Sequence, residues 1–314
     1  MQVIKDPFRP IDLPGGGVVT VGNFDGVHLG HQAMLRDVAR RAGEIGAPAV
    51  VVTFEPHPLK VLHPERAPRM IQTLRQREEA IEACGIDALV LVPFTRDFSL
   101  TPAEDFIRDL LVKRLAVREV HVGEHFMFGR ERGGNMEILR RIGDTAGFMV
   151  TGIADVADAA AAISSTRIRN ALLEGDVASA NSLLGRAYAM DGLVAKGDRM
   201  GRKIGFPTMN LQPDNELYPK DGVYFTSVRI ESFERTFPCV TNIGHRPTVY
   251  EDFATTIESY VLDFSSDVYG ERVRLSFFDR VRDERKFPSL LDLTAQIKRD
   301  VEATSLYFTR NPLP

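Results

Sequence analysis

The sequence predicts two domains of different class: an α/β domain built on a doubly wound parallel sheet, then an antiparallel β-barrel. Two observations carry this. Up to Ile153, apolar β-branched runs alternate with amphipathic helical stretches, the pattern of parallel strands joined by helical crossovers. Beyond Gly185-Arg186-Ala187-Tyr188 short alternating strands follow one another without intervening helices, the pattern of a barrel. At 314 residues each half can bury its own core, and the boundary is set at 1–185 and 186–314.

In the first half, Val18–Val21 reads as a strand and Gln32 to about Ile45 as a helix. Gly15-Gly16-Gly17 is a turn before that strand. Ala49–Phe54 is a second strand, with the β-branched run expected of a strand buried on both faces. Leu74–Ala83 is helical, and Ala88–Val92 and Glu119–Gly123 are strands. Thr101-Pro102-Ala103-Glu104 has the form of a capping box with Pro at the first helical position, opening a helix to about Leu115. Residues 135–146 form a helix, and Phe148–Ile153 a fifth strand. Ala154–Ala162 is expected to be a flexible or weakly helical connector, and Ile163–Arg169 opens a helix to about Leu173.

In the second half, after a short helix Val177–Leu184, strands are expected at Tyr188–Ala195, Val223–Ile230, Phe237–Ile243, Thr255–Leu262 and Arg272–Phe278. Ser289–Ala303 closes the chain as an amphipathic helix, with Leu290, Leu293, Ile297 and Val301 at core spacing.

Composition narrows the class. Hydrophobic residues make up 44% and charged residues 26%, the balance of an ordinary soluble globular protein. A net charge of −4 argues against a general nucleic-acid or anionic-membrane binder, so a phosphate site must be locally basic. Cys84 and Cys239 lie far apart with no CxxC, so no structural disulfide is expected and a reducing cytoplasm fits. Met1–Pro14 carries Lys5, Asp6, Arg9 and Asp12 and no apolar core, unlike a secretory signal. No apolar run reaches the length of a membrane span. The sequence leaves self-association open.

The most informative stretch is Thr20-Val21-Gly22-Asn23-Phe24-Asp25-Gly26-Val27-His28-Leu29-Gly30-His31. A strand, a glycine-punctuated turn and a helix start present backbone N–H groups to a phosphate. Three readings are open for His28 and His31: polar residues at a helix start, two ligands of a metal, or donors to phosphate oxygens on which charge builds. No nearby Cys or acidic cluster completes a metal site. With Gly22, Asn23 and the other glycines, the phosphate reading is the best of the three.

Further along, Glu55-Pro56-His57-Pro58 ends the second strand, where His57 is either a turn residue or part of a site wall. Gly123–Asn135 interrupts the alternation with two arginines, four glycines and two phenylalanines after a strand end, a composition suited to a planar ligand with phosphates or to a surface loop. Ser164, Ser165, Thr166 and Arg169 stand at a helix start, either as simple caps or as holders of phosphate. In the second half no GxxxxGK[ST] occurs, which excludes a P-loop. Gly197–Leu211 instead offers Gly197, Gly201 and Gly205 among Arg199, Arg202 and Lys203, followed by Thr208 and Asn210 alternating on an expected strand. Oxygens facing one way from such a strand suit Mg²⁺.

The HxGH of His28–His31 resembles the signature of the nucleotidylyltransferase superfamily. The flanking Gly-Asn-Phe-Asp-Gly-Val-His narrows the resemblance to the bacterial bifunctional riboflavin kinase/FAD synthetases. The Thr53–Pro58 segment, the Gly123–Gly134 segment, the SxTxxR-type spacing of Ser164, Thr166 and Arg169, and Gly201–Asn210 also resemble that family, from about residue 18 to 305. The resemblance implies ATP-dependent phosphorylation of riboflavin to FMN in the second domain, and adenylylation of FMN to FAD with release of pyrophosphate in the first. It implies His28 and His31 as transition-state donors, and Gly22, Asn23, Ser164, Ser165, Thr166 and Arg169 around the ATP phosphates. It places His57, His125, Phe126 and Phe128 at the flavin and nucleotide, and Gly201, Lys203, Gly205, Thr208 and Asn210 at the kinase ATP. Thr208 and Asn210 would hold Mg²⁺, and Glu258 would be the catalytic base. His125 departs from the family pattern, which has Asn or Asp there. The alternative reading is therefore a riboflavin kinase with weak or altered adenylyltransferase activity. The expected partners are riboflavin, FMN, FAD, ATP, ADP and pyrophosphate, with no nucleic acid and no membrane.

Overall fold

The computed structural model describes residues 1–8, 16–159, 161–197, 200–246 and 254–313. Gly15, Asp198, Arg199, Pro247 and Thr248 lie outside the described residues, as do the side chains of Lys203 and Arg246. The chain forms two compact units: Met1–Arg69 with Leu74–Ser164, and Met70–Thr73 with Ser165–Pro314.

The first unit is a parallel sheet of β1 (Gln2–Ile4), β2 (Val18–Val21), β3 (Ala49–Glu55), β4 (Ala88–Pro93), β5 (Glu119–Gly123) and β6 (Met149–Ile153), in the order β1-β4-β3-β2-β5-β6. Val19, Val21, Val50 and Val52 enter one core, whereas Val18, Val51, Leu89 and Leu91 enter another. Both faces are thus covered, which is why these strands are apolar throughout rather than alternating. On one face lie α1 (Leu29–Ile45) and α3 (Leu74–Glu82); α2 (Pro58–Leu62) follows β3. The other face receives α5 (Ala103–Asp105), which continues as wider π turns over Phe106–Arg114, and α6 (Met136–Ala146). Before α5 comes the short α4 (Arg96–Ser99). Strand order reverses beside β2, where the chain moves out to β3 and β4 on one side and β5 and β6 on the other. The crevice at such a switch point, beyond the strand C-termini, is where open α/β sheets take ligands.

Three expectations for this half change. β1, which the sequence reading does not contain, pairs with β4 at the sheet edge; three residues are too few to display a period. The expected capping box does not form: the N-cap of α5 is Pro102, without a side-chain cap bond. The Thr101 carbonyl instead accepts from the Arg130 N–H (2.9 Å). In the Ala154–Ala162 connector none of the described residues is helical; Ala157 and Ala162 form an antiparallel bridge, and the Ala161 N–H donates to Asp158 Oδ1 (3.0 Å).

The second unit is a closed antiparallel barrel of β7 (Tyr188–Ala195), β8 (Met209–Pro213), β9 (Gly222–Ile230), β10 (Thr236–Arg246), β11 (Ala254–Val261) and β12 (Arg272–Arg282), ordered β10-β11-β8-β7-β12-β9. Closure removes the sheet edges. A row of hydroxyls runs through its interior: Thr226 Oγ1 donates to the Cys239 carbonyl (3.2 Å) and meets Thr241 Oγ1 (2.6 Å), which meets Ser259 Oγ (2.8 Å). α7 (Ser165–Glu174) and α8 (Val177–Leu184) precede the barrel. Asn181 fastens α8 to it, donating to the Phe277 carbonyl (2.8 Å) and accepting from the Tyr188 N–H (2.6 Å). α9 (Met200–Lys203) is one short turn.

The closing helix, α10 (Leu290–Arg310), starts where expected, with Ser289 as N-cap. Its buried stripe is not the expected one. Leu290 is 61% exposed, Leu293, Ile297 and Val301 are half-buried, and Gln296, Asp300, Thr304 and Phe308 face inward. The inward face meets an arginine and aromatic rings: Arg282 binds Asp300 through Nε (3.1 Å) and Nη2 (2.7 Å), Gln296 Nε2 donates to the same carboxylate (2.7 Å), and Phe278 packs edge-on against Phe308. Satisfying buried charge outweighs burying leucine here.

Candidate active sites

In the α/β unit, the turn after β2 passes through left-handed backbone at Phe24 (φ 48°), Gly26 (φ 84°) and Val27 (φ 38°). Non-glycine residues hold that conformation only when their surroundings impose it, as functional turns do. The turn delivers His28 as the N-cap of α1, its Nδ1 accepting from the His31 N–H (3.3 Å). The two rings stack, with centroids 3.7 Å apart and 18° between planes, and Phe24 meets His31 edge-on at 5.2 Å. Gly30 permits this, since a Cβ there would lie 3.2 Å from the His28 ring. His31 Nδ1 is shut off from solvent and has no hydrogen-bond partner among the described residues. Burial, reinforced by neighbouring His28, holds the His31 pKa well below the usual imidazole range, so this ring is neutral.

The wall beside this stack is built from β3 and α3. His57 caps α2 by accepting the Leu59 N–H at Nδ1 (3.2 Å), while its Nε2 lies 3.2 Å from the Asn23 amide. The Asn23 group that faces the ring is its amide nitrogen, Nδ2, so His57 joins the cap of α2 to the turn after β2. The Asn23 carbonyl accepts from Thr53 Oγ1 (3.2 Å) and Arg77 Nη1 (3.4 Å), and the buried Arg77 also pairs with Glu55. Sequence reasoning missed Arg77. Its signal was an arginine at core spacing in α3, between Leu74 and Ile81. Lower on α1, Arg41 grips buried Glu119 with Nε (2.9 Å) and Nη2 (2.7 Å), which holds that carboxyl below its usual range and fixes the helix against β5.

The loop after β5 forms an open cavity of about 640 Å³, lined by His125, Phe126, Met127, Met136 and Arg140 among others. Phe126 stacks on Phe128 (5.2 Å, 14°), and Phe128 is in the core against Phe106 (5.6 Å). Phe126 thus lines the cavity and Phe128 supports it. Exposed His125 stands at the rim. Ser164 ends the first unit. Ser165, Thr166 and Arg169 lie on the first turns of α7, which packs in the second unit through Ile168 and Leu172.

On the barrel, Asn210 of β8 lies directly across from Glu258 of β11, and Glu258 directly across from Asn242 of β10. Because β8, β11 and β10 are consecutive strands, the three form one row. Their neighbours Met209, Leu211, Ile257, Ser259, Thr241 and Ile243 are buried, so the row lies on the outer face. Thr208 precedes β8 rather than lying within it, a correction to the expected strand; the oxygen of its side chain lies 3.3 Å from where a Cβ of Gly201 would be. A Cβ on Gly197 would collide with the Asn210 amide, and one on Gly201 with the Phe206 carbonyl. The glycines therefore let Gly197 and the turn at 201–205 lie against Asn210 and Thr208. Gly205 takes φ 85°, and the Phe206 N–H returns to the Gly201 carbonyl (2.8 Å).

Comparison with known proteins gives a family for each part of the chain. Residues 12–167 match the family model described as FAD synthetase, and residues 184–308 the one described as riboflavin kinase. The chain is 39% identical over 301 residues to the bifunctional riboflavin kinase/FMN adenylyltransferase of Escherichia coli K12, covering 96% of each chain. It is 37% identical over 308 residues to that of Haemophilus influenzae, covering 98% of this chain and 99% of the relative. A solved structure titled as a macrolide-efflux protein from Streptococcus pneumoniae superposes with a TM-score of 0.89 at 32% identity, over 97% of this chain and 99% of that one. Among the described residues no helix is long and apolar enough to cross a membrane. With both family models matched in order and such identity along nearly its whole length, the chain belongs to the bifunctional riboflavin kinase/FMN adenylyltransferase family.

Proposed function

We propose that the chain phosphorylates riboflavin to FMN in residues 186–314 and adenylylates FMN to FAD in residues 1–185, both from ATP in the cytoplasm. The observation that carries this reading is the row of Asn210 and Glu258 beneath a glycine loop, in a chain whose other unit stacks His28 on His31. The two family matches, ending at 167 and beginning at 184, support the boundary.

In the kinase step, Glu258 takes the proton of the terminal ribityl hydroxyl as that oxygen bonds to the γ-phosphorus. The bond from γ-phosphorus to the bridging oxygen breaks and ADP leaves. Gly201, Lys203 and Gly205 wrap the ATP phosphates. Mg²⁺ fits the donors present, since Thr208 and Asn210 offer neutral oxygens and glycine at 197 leaves the Asn210 amide its space. Bound there, the cation would offset phosphate charge.

In the adenylyl step, a phosphate oxygen of FMN attacks the α-phosphorus and pyrophosphate departs. No proton need be removed from an ionised phosphate, so the site needs donors rather than a base. His28 is suited to this: with Nδ1 occupied as a cap, its proton sits on Nε2. His31, kept neutral, donates without burying a second charge. Gly22, Asn23 and Ser164 hold ATP, while Ser165, Thr166 and Arg169 hold the departing pyrophosphate. His57 and Phe126 wall the flavin, with His125 at the rim.

The test is to incubate the protein with riboflavin, ATP and MgCl₂ and separate the flavins over time. FMN first and FAD later is the expected result. FMN without FAD would favour the altered-adenylyltransferase reading, with His125 the first residue to replace by Asn; unchanged riboflavin would overturn the kinase assignment.

A further inference from the structure

One carboxylate outside the groups assigned so far is held against the kinase row. Glu284, just beyond β12, places Oε1 3.4 Å from Asn242 Nδ2. Its carboxylate also occupies the space over Gly244 where a Cβ would stand. Asn242 and Gly244 are two residues apart on β10, so both present the same face to it. Asn242 is also the cross-strand partner of Glu258. One asparagine is therefore the neighbour of two acidic residues. Donating an N–H to Glu284 settles which way that amide is turned, since a carboxylate accepts and never donates.

Resting on the kinase reading above, we propose that Glu284 is a positioning residue of riboflavin phosphorylation: it fixes the Asn242 amide, and through it the orientation in which Glu258 meets the ribityl hydroxyl. The role requires an acceptor at 284 and does not require charge. Gln, with its amide oxygen, therefore serves in place of Glu, whereas Ala does not.

Steady-state kinetics of riboflavin phosphorylation test this. Glu284→Ala lowers kcat about tenfold, as expected for a misplaced catalytic group, while KM for ATP and riboflavin stays within about twofold. Glu284→Gln restores most of the rate. Asn242→Ala matches Glu284→Ala, and the double variant is no slower than either, because both remove one link. Asn242→Asp, which sets a carboxylate against Glu284, gives an independent loss of kcat. Formation of FAD from supplied FMN is unchanged by Glu284→Ala, and the retained KM values show that the barrel of the variant is folded. Wild-type kcat in Glu284→Ala, failure of Gln to restore it, or losses that multiply in the double variant would overturn the proposal. Glu258→Ala is assayed alongside. If it phosphorylates riboflavin normally, the kinase reading has failed; if it is inactive while Glu284→Ala is normal, only this inference has.

Discussion

Asn210 on β8 and Glu258 on β11 are direct cross-strand partners on the outer face of the barrel, although 48 residues separate them in the chain. An oxygen donor suited to a cation and a carboxylate suited to a proton thus stand one strand spacing apart.

This pairing makes the kinase separable from the rest of the protein. Glu258→Ala is expected to slow riboflavin phosphorylation by about 10²–10⁴-fold, the usual contribution of a general base. Chromatography with FMN as the supplied substrate should still show FAD at the wild-type rate.

The converse holds for the stacked imidazoles. His31→Ala removes a donor and leaves His28 without its stacking partner. Conversion of FMN to FAD should fall by about 10²–10³-fold, as when an oxyanion donor is lost. Riboflavin phosphorylation, followed by ADP release, should be unaffected.

His31 also ties stability to pH. Its folded pKa is depressed by burial and by His28. Below the unfolded value, about 6.5, the unfolded chain gains a proton that the folded one resists. The contribution of His31 to stability is therefore full above that pH and is lost as pH falls towards the folded pKa. Thermal melts from neutral to mildly acidic pH should show a steeper fall in Tm for wild type than for His31→Gln.

Gly197→Ala places a methyl group where the Asn210 amide lies. The loop or the amide must move, and kinase kcat/KM should drop by about 10²-fold, as for a misplaced catalytic group. Adenylylation of supplied FMN reports whether the loss is confined to the barrel.

Asp300→Ala strands Arg282, only 19% exposed at its side chain, without its bidentate partner. Breaking a largely buried pair costs about 3 kcal/mol. The urea unfolding midpoint should fall accordingly, and Asp300→Asn should fall less.

Legibility in the sequence followed burial. Val50–Val52 announced a strand covered on both faces because nothing polar interrupts them. The α10 stripe was misread because Leu290, Leu293, Ile297 and Val301 satisfy helical spacing, while the face that turned inward was chosen by Arg282 and its need for Asp300. No period records such a partner. Glu258 was singled out only through resemblance, since strand register between distant segments is not written locally. Arg77 and Glu284 escaped for the same reason: each acts on a neighbour that only the folded chain supplies.

The hydroxyls inside the barrel have a consequence of direction. Thr226 spends its proton on the Cys239 carbonyl, so it accepts from Thr241, which in turn accepts from Ser259. Each hydroxyl has one proton to give, and the first donation therefore dictates the next two. Three strands are wired in series, and a valine at 226 would be felt first as a stranded proton on β10.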